Sequence, residues 1–367
     1  MSILYGGNLA NVGYYHTKQL RSIGTDIELV MEKNPAPNAD PLMRDSEIKN
    51  YPDWINFYDR RKSSWKISLL RIMRKQKYEL IHAHVELPIF AYVSRKKFIA
   101  QVLGSDIKEL AFTNSLRGIL LRKAYKNAKL VIFSTPGDPS LLSKLKVKNT
   151  LFLPLIWDLS FFKPEKIIDN EFENKFIVFH PTSHIWSVKG NNNLINGFSE
   201  FVKQNPDSIL ICVNIGKDID KSHDLVKSLG IENNVRFMDR LNASQLLHYY
   251  NLADIVANEF ILDGIGGIGM ETLCCEKPLL TACHENCYKN MHPEPVPAIN
   301  VKTSTEIYEK LEYLKDRKVK DEIGKKGRIW MEKFLSPTVV AHKYKTVYDS
   351  VLAGDKIEHI KEKISKL

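Results

Sequence analysis

Cysteine is scarce in this chain: five residues among 367 (Cys212, Cys274, Cys275, Cys283 and Cys287), an odd number confined to the second half. No framework spacing links them, which excludes a disulfide-stapled scaffold and reads as reduced thiols. Cys283-His284-Glu285-Asn286-Cys287, with His292 nearby, resembles part of a zinc site, but C-x3-C lacks a second ligand pair and no metal is assigned. No uninterrupted apolar run approaches the roughly 18 residues of a transmembrane helix. The opening Met1 to Gly7 has no basic n-region, so the expectation is a cytoplasmic protein. Repeats and low-complexity tracts are missing as well.

What remains is a chain of 26% charged and 44% hydrophobic residues, long enough for two domains that each bury a core. Its net charge of +10 is uneven. Residues 1–160 hold 25 Lys and Arg against 14 Asp and Glu, and residues 161–367 hold 28 against 29. A basic half of this kind attracts anionic surfaces: membrane, nucleic acid or phosphorylated substrate. Arg60 to Lys75 alternates apolar and basic residues at helical spacing, as an interfacial helix with Trp65 at the boundary would; the competing reading packs Ile67, Leu70 and Met73 on a sheet. A second basic helix is predicted from Ser115 to Ala128.

Short apolar runs alternate with helical spacing along the chain. Ser2 to Tyr5, a glycine turn, a helix from Leu9 to Gly24 and a strand from Thr25 to Val30 make a βαβ unit, hence a parallel, doubly wound sheet. That turn lacks G-x-G-x-x-G, so nothing there points to a dinucleotide. Residues 34–58, rich in Pro, Asn and Asp, read as a loop. Tyr78 to Glu86 is a strand leaving His84 and Glu86 at its C-terminal end, and Phe98 to Leu103 runs into Gly104-Ser105-Asp106. Lys129 to Phe133 reads as the last strand of the first domain.

A second series begins at Lys175 to Phe179 and reaches Ser183, His184 and Lys189-Gly190, where an ammonium can meet a diphosphate. It continues through strands Ile209 to Asn214 and Val235 to Leu241 and a helix from Ala243 to Asp254.

The most informative stretch follows. Asp263-Gly264-Ile265-Gly266-Gly267-Ile268-Gly269-Met270-Glu271 places four glycines between two carboxylates, after a β-branched strand and before renewed helical spacing. A strand-to-helix turn offers unpaired amides and the positive end of a helix dipole to an anion. Carboxylates accept bonds from sugar hydroxyls, so the pattern suits a ligand with both phosphate and polyol. The alternative is a glycine-rich turn needed only for tight packing.

Asp263 to Glu271, followed by Thr272 to Leu280, resembles the E-x7-E donor motif of family 4 retaining glycosyltransferases, with Asp263 for the usual first Glu and Ile265 for Phe. Other segments are similar in the same order: Ile81 to His84 to D-x-I-H-x-H, Gly104 to Asp106 to H-G-S-D with Leu103 replacing His, Leu151 to Pro164 to the interdomain segment, and Ser336 to Tyr348 to the closing helix. At Ser183 to Gly190 the family has R-x(n)-K-G, so Ser183 or His184 stands for the Arg, a protonated His184 being the candidate cation.

The resemblance implies a GT-B fold: two doubly wound, Rossmann-like α/β domains facing across a cleft, with boundaries at 1–156 and 165–335, a helix at about 336–352 returning to the first domain, and a tail at 353–367. It implies catalytic roles for Asp263, Glu271, Lys189 and His84. Donor contacts would come from Ser183, His184, Lys189, Gly190, Arg240, Leu241, Asp263, Gly264, Ile265, Gly266, Gly267, Ile268 and Glu271. Acceptor contacts would come from Gly6, Gly7, Asn8, Asn11, His84, Gly104, Ser105 and Asp106. The substrate would be a UDP- or GDP-linked sugar, with no metal or other cofactor. A glycan or lipid-linked acceptor would be held by the basic first domain, with an anionic membrane as partner and peripheral placement on the inner face. Competing readings are a related phosphorylase, epimerase or sucrose-type synthase, a non-catalytic sugar-nucleotide scaffold, and a nucleic-acid binder supported by charge alone.

Overall fold

The computed structural model describes residues 2–45, 47–157, 159, 161–289 and 291–367. Asp158 and Ser160 of the bridging segment lie outside them. The chain divides into two compact units, one of residues 1–157 with 335–367 and one of residues 158–334.

In the first unit the strands are β1 (Ser2–Gly6), β2 (Ile27–Glu32), β3 (Ile55–Tyr58), β4 (Tyr78–His84), β5 (Lys97–Gln101), β6 (Leu130–Phe133) and β7 (Thr150–Phe152). They form one parallel sheet in the order β3-β2-β1-β4-β5-β6-β7. Runs such as Leu130-Val131-Ile132-Phe133 are apolar throughout because helices cover both faces of such a sheet. Two expectations are corrected here. Residues 34–58 are not all loop: Ile55–Tyr58 pairs with β2, Leu29 opposite Ile55, and the turn residues around it concealed a short edge strand. The sheet ends on β7 rather than on β6, because three residues are too few to leave a periodic signal.

Helix Pro337–Ala353 belongs to this unit and packs against helix Val12–Ser22, burying Val340, Tyr344, Val347 and Tyr348. The tail forms a helix, Ile357–Ser365, with Ile357, Ile360 and Ile364 spaced to face the same core.

The second unit holds β8 (Phe176–His180), β9 (Ser208–Val213), β10 (Val235–Met238), β11 (Ile255–Ala257), β12 (Leu279–Thr281) and β13 (Ile299–Asn300), parallel in the order β10-β9-β8-β11-β12-β13. Strand order reverses beside β1 in the first sheet and beside β8 in the second. Loops leaving the C-terminal ends of β1 and β4, and of β8 and β11, therefore diverge and open a crevice within each unit, where sheets of this kind bind ligands.

Candidate active site

At the second crevice, β8 leads into a single-turn helix, Trp186–Lys189, and then into helix Asn191–Gln204. Gly190 joins the two at φ +67°, and a Cβ there would approach Phe260 Cβ at 3.0 Å, so glycine is required. The Lys189 carbonyl accepts the Phe260 amide at 2.9 Å, and its ammonium pairs with Glu259. Lys189 thus reaches the loop after β11 by backbone and side chain together.

That loop is pinned from below. Asn258 donates to the Ile265 carbonyl at 2.9 Å, the Gly264 amide to Ala282 at 2.8 Å, and the Ile265 amide to the Tyr288 hydroxyl at 3.2 Å. Gly264 and Ile265 are buried and their amides are spent internally, which corrects their assignment as donor contacts. The helix begins earlier than the glycine run suggests, spanning Gly266–Cys274. Its first-turn amides, at Gly266, Gly267 and Ile268, have no carbonyl one turn before them and are the groups open to an anion. Gly269 serves packing, since a Cβ would meet Ile265 Cβ at 2.6 Å.

Glu271 lies on this helix, 7% exposed, and accepts from the Tyr250 hydroxyl at 2.7 Å. Asp263 is half-exposed, with the Lys302 ammonium at 3.2 Å and His284 Nε2 at 3.9 Å. Arg240 is exposed and Leu241 half-buried beyond β10. Glu259, Tyr250 and Lys302 are site residues that sequence reasoning missed. Only Glu259 carried a signal, as a third carboxylate in the loop.

His184 corrects an expectation. Its backbone pairs with Ile215 and Asp218, which turns the ring inward onto the Ser222 hydroxyl at 2.8 Å. Burial lowers its pKa to about 4, so it is neutral and supplies no cation. Ser183 contributes only its carbonyl, to Asn191. The Asp218-Ile219-Asp220 triplet has a spacing that can chelate a metal, but the Asp218 carboxylate is committed to the Trp186 amide and the Lys221 ammonium. The Cys283 and Cys287 thiols hydrogen-bond to each other, which raises the pKa of Cys283 and lowers that of Cys287. Among the described residues no three His, Cys, Asp or Glu side chains converge as metal ligands would.

At the first crevice the expected acceptor residues Gly7, Asn8 and His84 border a cavity while their polar groups bond within the fold. Gly7 adopts φ +107° and a Cβ would fall 2.6 Å from His84 Nε2. The Leu9 amide donates to that nitrogen at 3.2 Å, so His84 carries its proton on Nδ1 and donates to the Tyr5 hydroxyl at 3.1 Å, which donates to Gln101 at 3.0 Å. Burial lowers the His84 pKa to about 3. Both nitrogens bond within the fold, while the ring borders the cavity at the strand ends.

Asn8 binds Asn11 at 2.9 Å and the Ala39 carbonyl at 2.8 Å and accepts from the Tyr14 amide; Asn11, at φ 62°, donates to the Asp40 carbonyl at 3.2 Å. Both stitch the β1 loop to residues 37–40, and Asn8 also borders the cavity described next. Asp106 accepts from the Leu103 amide at 3.1 Å and Tyr125 at 2.8 Å, and burial raises its pKa to about 6. Its carboxylate is buried and committed to those two donors; Gly6 is buried in β1, and of this segment only Ser105 is exposed.

A cavity of about 210 Å³ remains at the ends of β1, β2, β3 and β4, lined by Asn8, Leu9, Glu32, Tyr58, Arg60 and Glu86. Ala10, Asn11 and Val85 around it hold positive φ. Such strain in non-glycine residues concentrates at functional sites.

Residues 162–329 match the family model described as glycosyl transferases group 1, and residues 3–135 match that described as glycosyl transferase 4-like. A comparison with curated proteins finds no match. Among solved structures, the chain is similar to Anabaena HepE in complex with UDP-glucose (TM-score 0.74, 14% identity, covering 95% of this chain and 100% of that one). It is also similar to sucrose-phosphate synthase from Thermosynechococcus elongatus (0.71, 15%, 97% and 100%) and to a glycosyltransferase from Rickettsia africae (0.69, 15%, 96% and 98%). At these identities the solved structures establish the fold, GT-B with a parallel-sheet α/β unit in each half, while the two family models fall one on each unit. With both halves matched in chain order, the chain belongs to the family 4-like glycosyltransferases of the GT-B fold.

Proposed function

We propose that this glycosyltransferase moves a sugar, with retention at its anomeric carbon, from a UDP- or GDP-linked donor to a hydroxyl of a glycan or lipid-linked acceptor taken by the first unit. The observation that carries the reading is Glu271: a buried carboxylate oriented by Tyr250, about one turn behind the open amides of Gly266, Gly267 and Ile268. It accepts from the donor's ribose hydroxyls while those amides and Lys189 face the diphosphate. Asp263, held by Lys302, accepts from hydroxyls of the transferred sugar. HepE, which shares the fold, has been solved with UDP and with UDP-glucose.

In the reaction the bond from the anomeric carbon to the diphosphate oxygen breaks, and its electron pair leaves with the diphosphate. The acceptor oxygen bonds to the same face, and its proton passes to the departing diphosphate. Preorganised positive groups around that leaving group supply the stabilisation, so the scheme calls for no metal. Because Lys189 is paired with Glu259, the diphosphate takes over from that carboxylate on binding.

Thermal-shift measurements against UDP, GDP, ADP and their sugar conjugates test the donor side. One nucleotide class raises the melting temperature of the wild type, since a ligand of the folded state stabilises by mass action, and the rise is lost in Glu271→Ala. Product analysis with that donor then reads the anomeric configuration. An inverted product would sink the retaining part alone.

A further inference from the structure

Strand β12 runs into a segment that the reaction scheme leaves unused. The Ala282 amide donates to the Glu259 carbonyl at 2.7 Å, and the Cys283 amide that follows is held by the Asn300 side chain at 3.0 Å. A turn closed by the Cys287 amide on the His284 carbonyl at 2.8 Å then returns Cys287 to the side of Cys283. Both cysteines are buried, whereas His284, Glu285 and Asn286 between them are exposed. A single exposed turn therefore covers the pair.

The two thiols are unlike each other and unlike the rest. Cys283 donates its hydrogen to Cys287, which raises the first and lowers the second; Lys302 adds to the lowering of Cys287, while burial and Asp263 oppose it. Burial pushes Cys212 and Cys275 far up, as it does for inert structural thiols. A thiolate, not a thiol, attacks a disulfide. Cys287 is thus placed to begin an exchange and Cys283, in contact with it, to complete one.

Tyr288 links this pair to the donor loop. Its ring is buried, and its hydroxyl accepts the Ile265 amide immediately before helix Gly266–Cys274. Cys283 is fixed by β12 and Asn300, so drawing the two sulfurs together displaces Cys287, and Tyr288 with it.

We infer that Cys283 and Cys287 form a reversible modification site, which a low-molecular-weight disulfide of the glutathione class closes to an intramolecular disulfide that loosens the donor loop through Tyr288. In the first step the Cys287 thiolate bonds to one sulfur of the reagent, whose S–S bond breaks, and the other half leaves as a thiolate that takes up the proton Cys287 released. Cys283 then gives up its proton, its sulfur bonds to that of Cys287, and the second half leaves in the same way. One dithiol is oxidised, one reagent disulfide is reduced to two thiols, and excess thiol reverses the change. Control of donor binding by this switch rests on the function proposed above; the thiol chemistry does not.

Incubating the full chain with oxidised glutathione, followed by intact mass and peptide mapping, tests the site. Wild type should lose two hydrogens, keep no glutathione, carry a Cys283–Cys287 link and recover its mass in dithiothreitol. Cys283→Ser should stop at a mixed disulfide on Cys287, and Cys287→Ser should react at least about tenfold more slowly. An unchanged melting temperature under reducing conditions shows that each variant is folded. A wild type that stops at the mixed disulfide, links to Cys212, Cys274 or Cys275, or reacts no faster than Cys287→Ser would overturn the site. Amide hydrogen exchange at residues 264–268 should quicken on oxidation in wild type alone; equal exchange in both redox states removes the coupling. Thermal shifts with UDP, GDP and ADP complete the comparison. A nucleotide that shifts the reduced protein should bind the oxidised one about fivefold more weakly, the worth of about one hydrogen bond, and equal binding overturns the control. Exchange and mass that change while no nucleotide shifts either state leave the dithiol standing and remove the donor reading.

Discussion

The two crevices are built on the same topology and spend their polar residues in opposite ways. Beside β8 and β11, Glu271, Asp263, Lys189 and the Gly266–Ile268 amides are anchored from behind and keep chemistry facing outward. Beside β1 and β4, the corresponding loop residues Asn8, Asn11 and His84 bond to one another, to Tyr5 and to residues 37–40. Equivalent placement at a strand end therefore does not imply equivalent use. What decides is whether the backbone that follows leaves groups unpaired: a helix start does so by geometry, whereas a strained loop closed by side-chain bonds does not.

The sharpest way to break this contrast is to exchange its consequences. Glu271→Gln should leave the melting temperature near wild type while reducing nucleotide affinity about ten- to hundredfold, the range for losing bonds to a charged acceptor; titration calorimetry reads it. Tyr348→Phe should do the reverse. The Tyr348 hydroxyl serves both His16 Nε2 at 2.5 Å and His82 Nδ1 at 2.7 Å, so its removal strands two buried nitrogens at about 1–3 kcal/mol each. Denaturant unfolding should show that loss with nucleotide binding intact. A Tyr348→Phe protein that loses the donor would refute the division.

The next effect is pH-dependent. Burial holds His84 and His180 at about 3 and His184 at about 4, against an ordinary 6.5, and puts His16 and His82 well below it. Above 6.5 the folded and unfolded chains bind equal numbers of these protons. Below it the unfolded chain takes up protons that the buried rings refuse, so stability falls as pH drops from 6.5 toward 4. Asp106, raised to about 6, works the other way within that window, and five histidines outweigh it. Thermal melts across the range check the sign.

The smallest effect concerns Lys189, which the proposed donor's diphosphate would meet. Glu259→Gln frees Lys189, and nucleoside diphosphate should bind about two- to fivefold more tightly, as for a part-exposed ion pair. Weaker binding would show that Glu259 positions Lys189 instead of competing for it.

The strand-to-helix turn before Glu271 could be read from the sequence because its signal is local: a β-branched strand, glycines where a backbone must turn, and carboxylates eight positions apart. The basic helix at Ser115 to Ala128 was equally legible, appearing as Leu116–Asn127 with Ser115 capping Gly118. The inward turn of His84, His184 and Asp106 was not, because each depends on a partner far along the chain or on burial that no neighbour announces: Tyr5 for His84, Ser222 for His184, Tyr125 for Asp106.

By itself the sequence determined the alternation of strand and helix, the two parallel sheets and the position of the Asp263–Glu271 loop, since periodicity and turn chemistry act over a few residues. Only the tertiary structure decided which polar groups bond within the fold. It paired Lys189 with Glu259, set Tyr250 on Glu271 and buried five histidines, because hydrogen bonding and desolvation are settled between segments that meet only once the sheets have formed.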